Sequence, residues 1–563
     1  MSSTDIDPTA QYRKRFEELR SIVQKDWAGH WNELAEYFAP RKSRYLTSMG
    51  TADDNSGKKK NSKIINSIPV LSVNNLTSGL FGNMTSATSK WFRLALRDQA
   101  LMNDPSVSRY LYEVAEIMLE VFGKSNFYGA MHSNYNELAV FGTAAMMIEE
   151  DFKDVIRCRP FTAGEYFLAL SPQLEPDTLY RQYSMSVRQV VDEYGIENVS
   201  TPVKNMYDNN QGEKLIKVVA CIQPMIKSDP AVKMNTDFAF ESVHYEQDTN
   251  EGKFLRRGGY HEKPFMAPRW DATSTDVYGR SPAMDALGDA KMLQKEEEKK
   301  LKALDKFIDP PLTAPSSMKN EVISQVPGGV TYQDATEPGA QGIRTLYEQN
   351  SGLPAALAAA GNDIAVVEQR IQRTFFNDLF QTVINESKRM TATEVAQRRE
   401  EKLSLLGPVV NRLQSEVLGN AIERTFAICE RLGMFPEVPE IMDGRPIEIQ
   451  YISALAQAQS VVTTQSVEQV FAFAGNLSAV YPEVLDRLDA DEAIESYAED
   501  YGVPPHLIRS DEEVEEIRAQ RAQAQQAMQQ QEAMAQSAQS AKVLSETEVG
   551  GNNALAAIMG DVG

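Results

Sequence analysis

From Gln11 to Phe38 apolar residues recur at Tyr12, Phe16, Leu19, Val23, Trp27, Trp31, Leu34 and Phe38. Steps of three and four predict one amphipathic helix. Pro40 ends it, and the polar stretch RKSRYLTSMGTADDNSGKKKNSK follows as a loop whose Lys58–Lys60 cluster reads as a solvated surface. Helical patterning resumes across 66–83 and 104–122, with KWFRLAL between them as a short strand. From about Ala144 the period shortens. AAMMIEED, DVIRCRP, EYFLALS, DTLYRQYSM, KLIKVVACIQPMI, DFAFESVHYEQ and GKFLRRGGYHEKPFMAPRW are β-like runs divided by turn residues. Residues 12–275 therefore predict an α+β unit, early helices packed on a mostly antiparallel sheet.

A different pattern begins at Pro282, a first-turn proline after YGRS. The helix predicted over 282–308 is about 40 Å long at 1.5 Å per residue. Met284, Leu287, Leu293, Leu301, Leu304 and Ile308 lie toward its ends, whereas Gln294 to Lys300 offers no apolar side chain. Alternating charges allow i,i+4 pairs such as Glu296–Lys300 and Glu298–Lys302. A helix polar nearly all round commonly bridges between domains. Asp309-Pro310-Pro311 stops it. The segment 309–353, rich in Pro, Gly and Ser, leads to a second helix over 354–379, with Ile364, Val367, Ile371, Phe375 and Leu379 at helical steps. Two long helices thus flank a compact insert, and neither buries a full face alone.

After a polar break at 380–390, Thr391 to Glu394 forms an S/T-x-x-E capping box and opens a helix over 391–433. Gly407–Pro408 inside its apolar pattern predicts a kink. IEIQYIS reads as a strand, and helices follow to about Ile508. Ser510 to Glu513 is a second capping box, at the head of a Gln/Ala-rich tail over 511–563. The tail has high helix propensity and few large apolar residues, so it needs partner helices or stays partly disordered.

The chain has 563 residues, 42% hydrophobic and 24% charged, enough for three or four folding units with real cores. No run approaches a membrane span, and the N-terminus lacks the apolar core of a secretory signal. Cys158, Cys221 and Cys429 are far apart and predict reduced, partly buried thiols. A net charge of −22 argues against a general nucleic-acid-gripping surface. It leaves open a protein that handles DNA without holding it.

The search for chemistry finds no catalytic or metal-binding residues and implies no cofactor. No G-x-x-x-x-G-K-[ST], H-E-x-x-H or G-x-S-x-G occurs, and His30, His132, His244, His261 and His506 are scattered. Ser316–Lys319 matches S-x-x-K, a pattern short enough to arise by chance.

Several stretches, in order, resemble the portal, or head-to-tail connector, proteins of short-tailed, podovirus-type bacteriophages. They are NSIPVLSVNNLTSGLFGNMTSATSKWFRL, SNFYGAMHSNYNELAVFGTAAMMIEEDF, GEYFLAL, DTLYRQYSMSVRQVV, YGRSPAMDALGDAKML, DPPLTAPSS and MTATEVAQRREEKLSLLGPVVNRLQSEVL. The similarity runs from about Tyr12 to Arg521. It implies a helix-rich α+β portal fold: wing (1–281), stem helices (282–308 and 354–379), clip (309–353) and tunnel loop (380–390). A long kinked helix (391–433), a helical crown (434–510) and a C-terminal tail or barrel (511–563) follow.

The resemblance further implies a homododecameric ring in the virion at one capsid vertex, assembled in the host cytoplasm, without a membrane and without enzymatic activity. Its implied partners are the terminase packaging ATPase, a tail adaptor, the major capsid and scaffolding proteins, and the double-stranded DNA passing through. In such a ring the stem helices pack on neighbouring subunits through Ile364, Val367, Ile371, Phe375 and Leu379. Lys388 and Arg389 become the candidate DNA contacts of the tunnel loop. The alternatives are a scaffolding or minor capsid protein, or a packaging enzyme.

Overall fold

In the computed structural model the residues described are 7–43, 46, 61–102, 104–225, 238–249, 251–308, 312–313, 344–345, 353–379, 406–442, 445–452, 470–477, 481, 494, 511–546, 548–549 and 552–553. The first predicted helix is two: α1 (Ala10–Asp26) and α2 (Ala28–Phe38), broken at Trp27. The break lets Trp27 and Trp31 both pack on Tyr278, at ring-centroid distances of 5.6 and 5.1 Å. Tertiary packing here overrides an unbroken apolar period.

Helix α3 (Ile68–Met84) begins with Pro69 in its first turn, strand β1 spans Phe92–Leu96, and α4 spans Pro105–Lys124. Helix α5 (Phe127–Phe141) is buried on nearly every side, including Met131, Tyr135, Leu138 and Phe141. Gly142 ends it at φ 75, where a Cβ would run into the backbone of Gly279; a glycine is required there.

The β-like runs form two antiparallel sheets. Strands β2 (Ala145–Asp151) and β3 (Val155–Phe161) pair from Ala145↔Phe161 to Asp151↔Val155. The five-stranded sheet contains β4 (Tyr166–Leu170), β5 (Pro176–Ser186), β6 (Leu215–Pro224), β7 (Phe240–Glu246) and β8 (Arg256–Tyr260), in that order. Strand β9 (Phe265–Met266) completes the first sheet as β3-β2-β9.

Between β5 and β6 the chain forms two short helices, α6 (Val187–Tyr194) and α7 (Thr201–Asp208). Ser186 and Gln189 make a reciprocal capping box: Gln189 N–H donates to Ser186 Oγ (3.3 Å), and Ser186 N–H to Gln189 Oε1 (2.9 Å). Val187, Val190, Val199, Val203, Val218 and Leu255 pack beneath them.

The charged helix α8 spans Pro282–Ile308. Of the segment beyond it, two short strands are described, β10 (Leu312–Thr313) and β11 (Arg344–Thr345), paired antiparallel. Helix α9 runs from Leu353 to Thr374 rather than to 379. It is cut by a turn at Phe375–Phe376, where Phe376 takes the left-handed φ of 54.

Helix α10 (Gly407–Leu413) has Pro408 in its first turn, and a π-helical turn (Gln414–Gly419) joins it to α11 (Asn420–Arg431). The predicted kink is therefore a helix start at Gly407 followed by a π turn; the capping box at 391–394 lies outside the described residues. Gly433, at φ 63, closes α11: Gly433 N–H donates to Glu430 O and Met434 N–H to Cys429 O, the pairing of a Schellman motif.

Strand β12 (Ile447–Tyr451) and the tail helix α12 (Asp511–Glu546) follow. No described helix is long and apolar enough to cross a membrane.

The chain forms two compact units. The larger comprises 1–93, 114–436 and 449–470; the smaller comprises 94–113, 437–448 and 471–563. The larger holds both multistranded sheets and a core that includes Trp31, Trp91, Tyr135, Tyr166 and Phe141. In the smaller, Arg97 pairs with Glu448 (2.9 Å) and Arg445 with Asp98 (3.3 Å). Helix α12 is exposed throughout most of its length, with Met528 and Met534 open to solvent.

Candidate functional site

The two antiparallel helices α8 and α9, with the insert between them, are the part of the chain whose sequence least fits an ordinary core. Their base is nonetheless anchored. Ala283, Ala286, Ala290 and Leu293 of α8 are buried, and α8 packs against α2, α5 and α9. On the facing side Ile364, Val367, Ile371, Phe375 and Leu379 are all buried within this one chain. The Phe375 ring lies 5.5 Å from that of Phe38. The stripe assigned from sequence to stem packing is thus covered within the subunit itself. Their helical spacing reports a buried stripe but cannot say which surface covers it.

Gln294, the first residue of the polar run, is buried. Its Oε1 accepts the N–H groups of Ile65 (2.7 Å) and Asn66 (2.8 Å), and its Nε2 donates to Asn66 O (2.9 Å). Asn66 Nδ2 in turn donates to Glu368 of α9 (2.7 Å) and Glu297 of α8 (3.3 Å), while its Oδ1 accepts Ile68 N–H at the start of α3. Two side chains thereby tie both helices to the head of α3 and satisfy backbone donors that burial would otherwise strand. Beyond this point the helix surface is charged. Lys302 pairs with Glu298 (2.5 Å) as its spacing predicts, but Lys300 pairs with Glu297 (3.4 Å), not Glu296. Leu301, Leu304 and Ile308 of the distal half are 46%, 41% and 72% exposed. The hairpin has a buried base and, among the described residues, an exposed end.

A second polar system fixes α11 on the sheets. Arg424, 2% exposed, donates to Glu262 Oε1 (2.5 Å) and lies over the Tyr260 ring. Arg431 bonds the same carboxylate (2.8 Å) and Glu150 (2.6 Å). Burial raises the Glu262 pKa, but the two guanidinium groups outweigh it and hold the carboxyl below its ordinary value. At the π turn, Glu416 takes Arg269 in two contacts, from its N–H (2.8 Å) and its Nη2 (3.0 Å). The Tyr451 hydroxyl donates to the Gln414 carbonyl (2.9 Å).

Lys388 and Arg389, the candidate DNA contacts, lie outside the described residues, as do Lys58–Lys60, Ser316–Lys319 and nearly all of the 309–353 insert. Among the described residues no three His, Cys, Asp or Glu side chains are grouped to hold a metal ion. His244 bonds the Tyr194 hydroxyl (2.8 Å), and burial pushes its pKa down to about 4. All three cysteines are buried; burial raises the Cys158 and Cys221 thiols to about 12 and Cys429 to about 11, values of inert core thiols.

Comparison with known proteins agrees along nearly the full length. The chain is 40% identical over 552 residues to the portal protein of Salmonella phage epsilon15, covering 98% of each. It is 39% identical over 498 residues to the probable portal protein of Bordetella phage BPP-1, covering 88% of this chain and 87% of that one. Among solved structures, a chain from the neck of an empty GTA particle, computed with C6 symmetry, matches with a TM-score of 0.36 and 12% identity, over 78% of this chain and 91% of that one. The family described as "Bacteriophage head to tail connecting protein" matches residues 9–508. With that match and two relatives near 40% identity across most of their length, this chain belongs to the bacteriophage head to tail connecting protein family.

Proposed function

We propose that the chain is a portal subunit, copies of which close into a ring at one capsid vertex through which DNA enters during packaging and leaves during ejection. The observation that carries this reading is 40% identity to a portal protein over 98% of both chains. The hairpin supports it from the physical side. Leu301, Leu304 and Ile308 are exposed, and exposed apolar side chains repeated on a long charged helix suit a surface met by neighbouring copies.

In this reading residues 282–308 and 354–379 form the stem, 309–353 the clip and 380–390 the tunnel loop. The homo-oligomer, a dodecamer by resemblance, holds the head on one side and the tail on the other. The net charge of −22 per chain, repeated around a ring, repels phosphate, so DNA slides rather than adheres. Lys388 and Arg389 are then the few basic groups placed to touch it. The terminase packaging ATPase and the tail adaptor use the clip in turn, and the capsid and scaffolding proteins take the outer surface. The subunit itself performs no catalysis.

Negative-stain microscopy of the purified chain, with light scattering, tests the ring: closed particles with a central hole support it. Sheets, shells or monomers instead favour the scaffolding or minor capsid alternative, and ATP hydrolysis or nuclease activity by the pure chain would favour a packaging enzyme. Replacing 313–349 with a short Gly/Ser linker tests the clip, since loop closure costs vary slowly with length. Intact clip-less rings should lose both the packaging ATPase and the adaptor in pull-downs.

A further inference from the structure

Lys42 ends the short 3₁₀ turn, Pro40–Lys42, that follows α2, and its side chain reaches α5. There its Nζ donates to Asn136 Oδ1 (2.6 Å) and pairs with Glu137 Oε1 (2.7 Å). An ammonium carries donors only, so the oxygen of the Asn136 amide, not its nitrogen, faces Lys42. Asn136 Nδ2 points the other way, toward Thr77 Oγ1 (3.5 Å), whose own proton goes to the Val73 carbonyl (2.8 Å). Glu137 is buried, and its second oxygen accepts Ala163 N–H (3.2 Å). The Phe141 ring stands 6.0 Å from the ammonium.

An amine, an amide carbonyl and a buried carboxylate in mutual contact are a nucleophile, an electrophile and a proton carrier. With a C=O bond of about 1.23 Å, Asn136 Cγ lies no farther than about 3.8 Å from the Lys42 nitrogen. That is close to the separation of roughly 3–3.5 Å from which reacting atoms meet. The cavity of about 260 Å³ that Lys42, His132, Asn136 and Glu137 help to line gives a small leaving group its exit.

We propose that Lys42 and Asn136 join in an intramolecular isopeptide bond, with Glu137 carrying the proton. Glu137 Oε1 accepts a proton from the ammonium, a transfer that burial assists because two neutral groups are cheaper to bury than two ions. The freed amine attacks Asn136 Cγ, and Glu137 passes its proton to Nδ2. The Cγ–Nδ2 bond breaks and ammonia leaves, taking up the second proton that the attacking nitrogen sheds. One ammonium and one primary amide thus become one secondary amide and one ammonium ion. Nothing is oxidised or reduced, and Glu137 ends as the carboxylate it was. This is a single self-modification, not turnover of a substrate. It ties the end of α2 to α5 between residues 94 apart in sequence, constraining the unfolded chain as a disulfide does without needing an oxidising compartment. It is independent of the ring reading.

Mass spectrometry of the folded, full-length chain tests the bond. The wild-type mass should fall below that of the sequence by one ammonia, and a protease digest should contain one branched peptide joining Lys42 to Asn136. Lys42→Arg and Asn136→Ala should each keep the full mass. Glu137→Gln, which can still accept Ala163 N–H, should slow the loss at least about a hundredfold. A folded wild-type chain that keeps its full mass on prolonged incubation overturns the proposal and leaves Lys42 in a plain ion pair. Ammonia loss without the branched peptide, the mark of an asparagine cyclising on its own backbone, overturns it equally. Bond formation at the wild-type rate in Glu137→Gln overturns the role given to Glu137.

Discussion

The two halves of helix α8 have the same backbone and opposite fates. From Ala283 to Gln294 its inward face is buried against α2, α5 and α9. From Lys295 to Ile308 it presents Leu301, Leu304 and Ile308 to solvent among pairs such as Lys302–Glu298. The difference teaches that the first half contributes to folding of the subunit, while the second leaves apolar side chains exposed to solvent. The same division runs through α9, where Ala355 and Ala356 are exposed and Ile364, Val367 and Ile371 are buried.

The largest effect should come from the base. Phe375→Ala removes a fully buried ring from contact with Phe38 and should cost about 3–5 kcal/mol, read as a shift in urea unfolding of the dissociated chain. Ile371→Asp or Phe375→Asp should abolish the folded subunit, not merely the ring. A variant of this kind that stayed folded as a monomer would erase the distinction between the halves.

Gln294→Ala comes next. It leaves the Ile65 and Asn66 N–H groups without their acceptor, a loss of about 1–3 kcal/mol for a buried group. Hydrogen exchange should report it first at those two amides.

Leu301→Ser with Leu304→Ser tests the distal half. Unfolding of the single chain should change by no more than about 0.5 kcal/mol, while ring formation in light scattering should be clearly weakened. If the unfolding midpoint fell instead, the distal half would be part of the subunit core after all.

The smallest effect is expected from ending the chain after Ala519. Helix α12 loses few large apolar side chains, all of those described being exposed, so rings should survive. A truncated chain that remained monomeric would place the oligomerising surface in the tail.

What could be read in advance follows the range of the forces involved. Helix α8 has Pro282 at its start and Asp309-Pro310-Pro311 at its end, local signals that need no partner. Helix α5 leaves no amphipathic period in the sequence, because it is buried nearly all round. Helices α6 and α7 lie between β-like runs, and the capping signal Ser186-Val187-Arg188-Gln189 is the local mark of the first. Gln294 sits in a charged run and reads as surface; its acceptor role exists because Ile65 and Asn66, some 229 and 228 residues away, arrive beside it.

The sequence by itself determined the order of helices and antiparallel strands, the long charged helix and its stop, and, through similarity, the connector family. These rest on local propensity, periodicity and motif order, all carried by neighbouring residues. Tertiary structure alone decided that α1 and α2 break at Trp27 and that α9 turns at Phe376. It also decided that Ile364, Val367, Ile371, Phe375 and Leu379 are covered by their own chain. A periodic stripe encodes the demand to be buried, but the identity of the covering surface depends on long-range packing that no local pattern specifies.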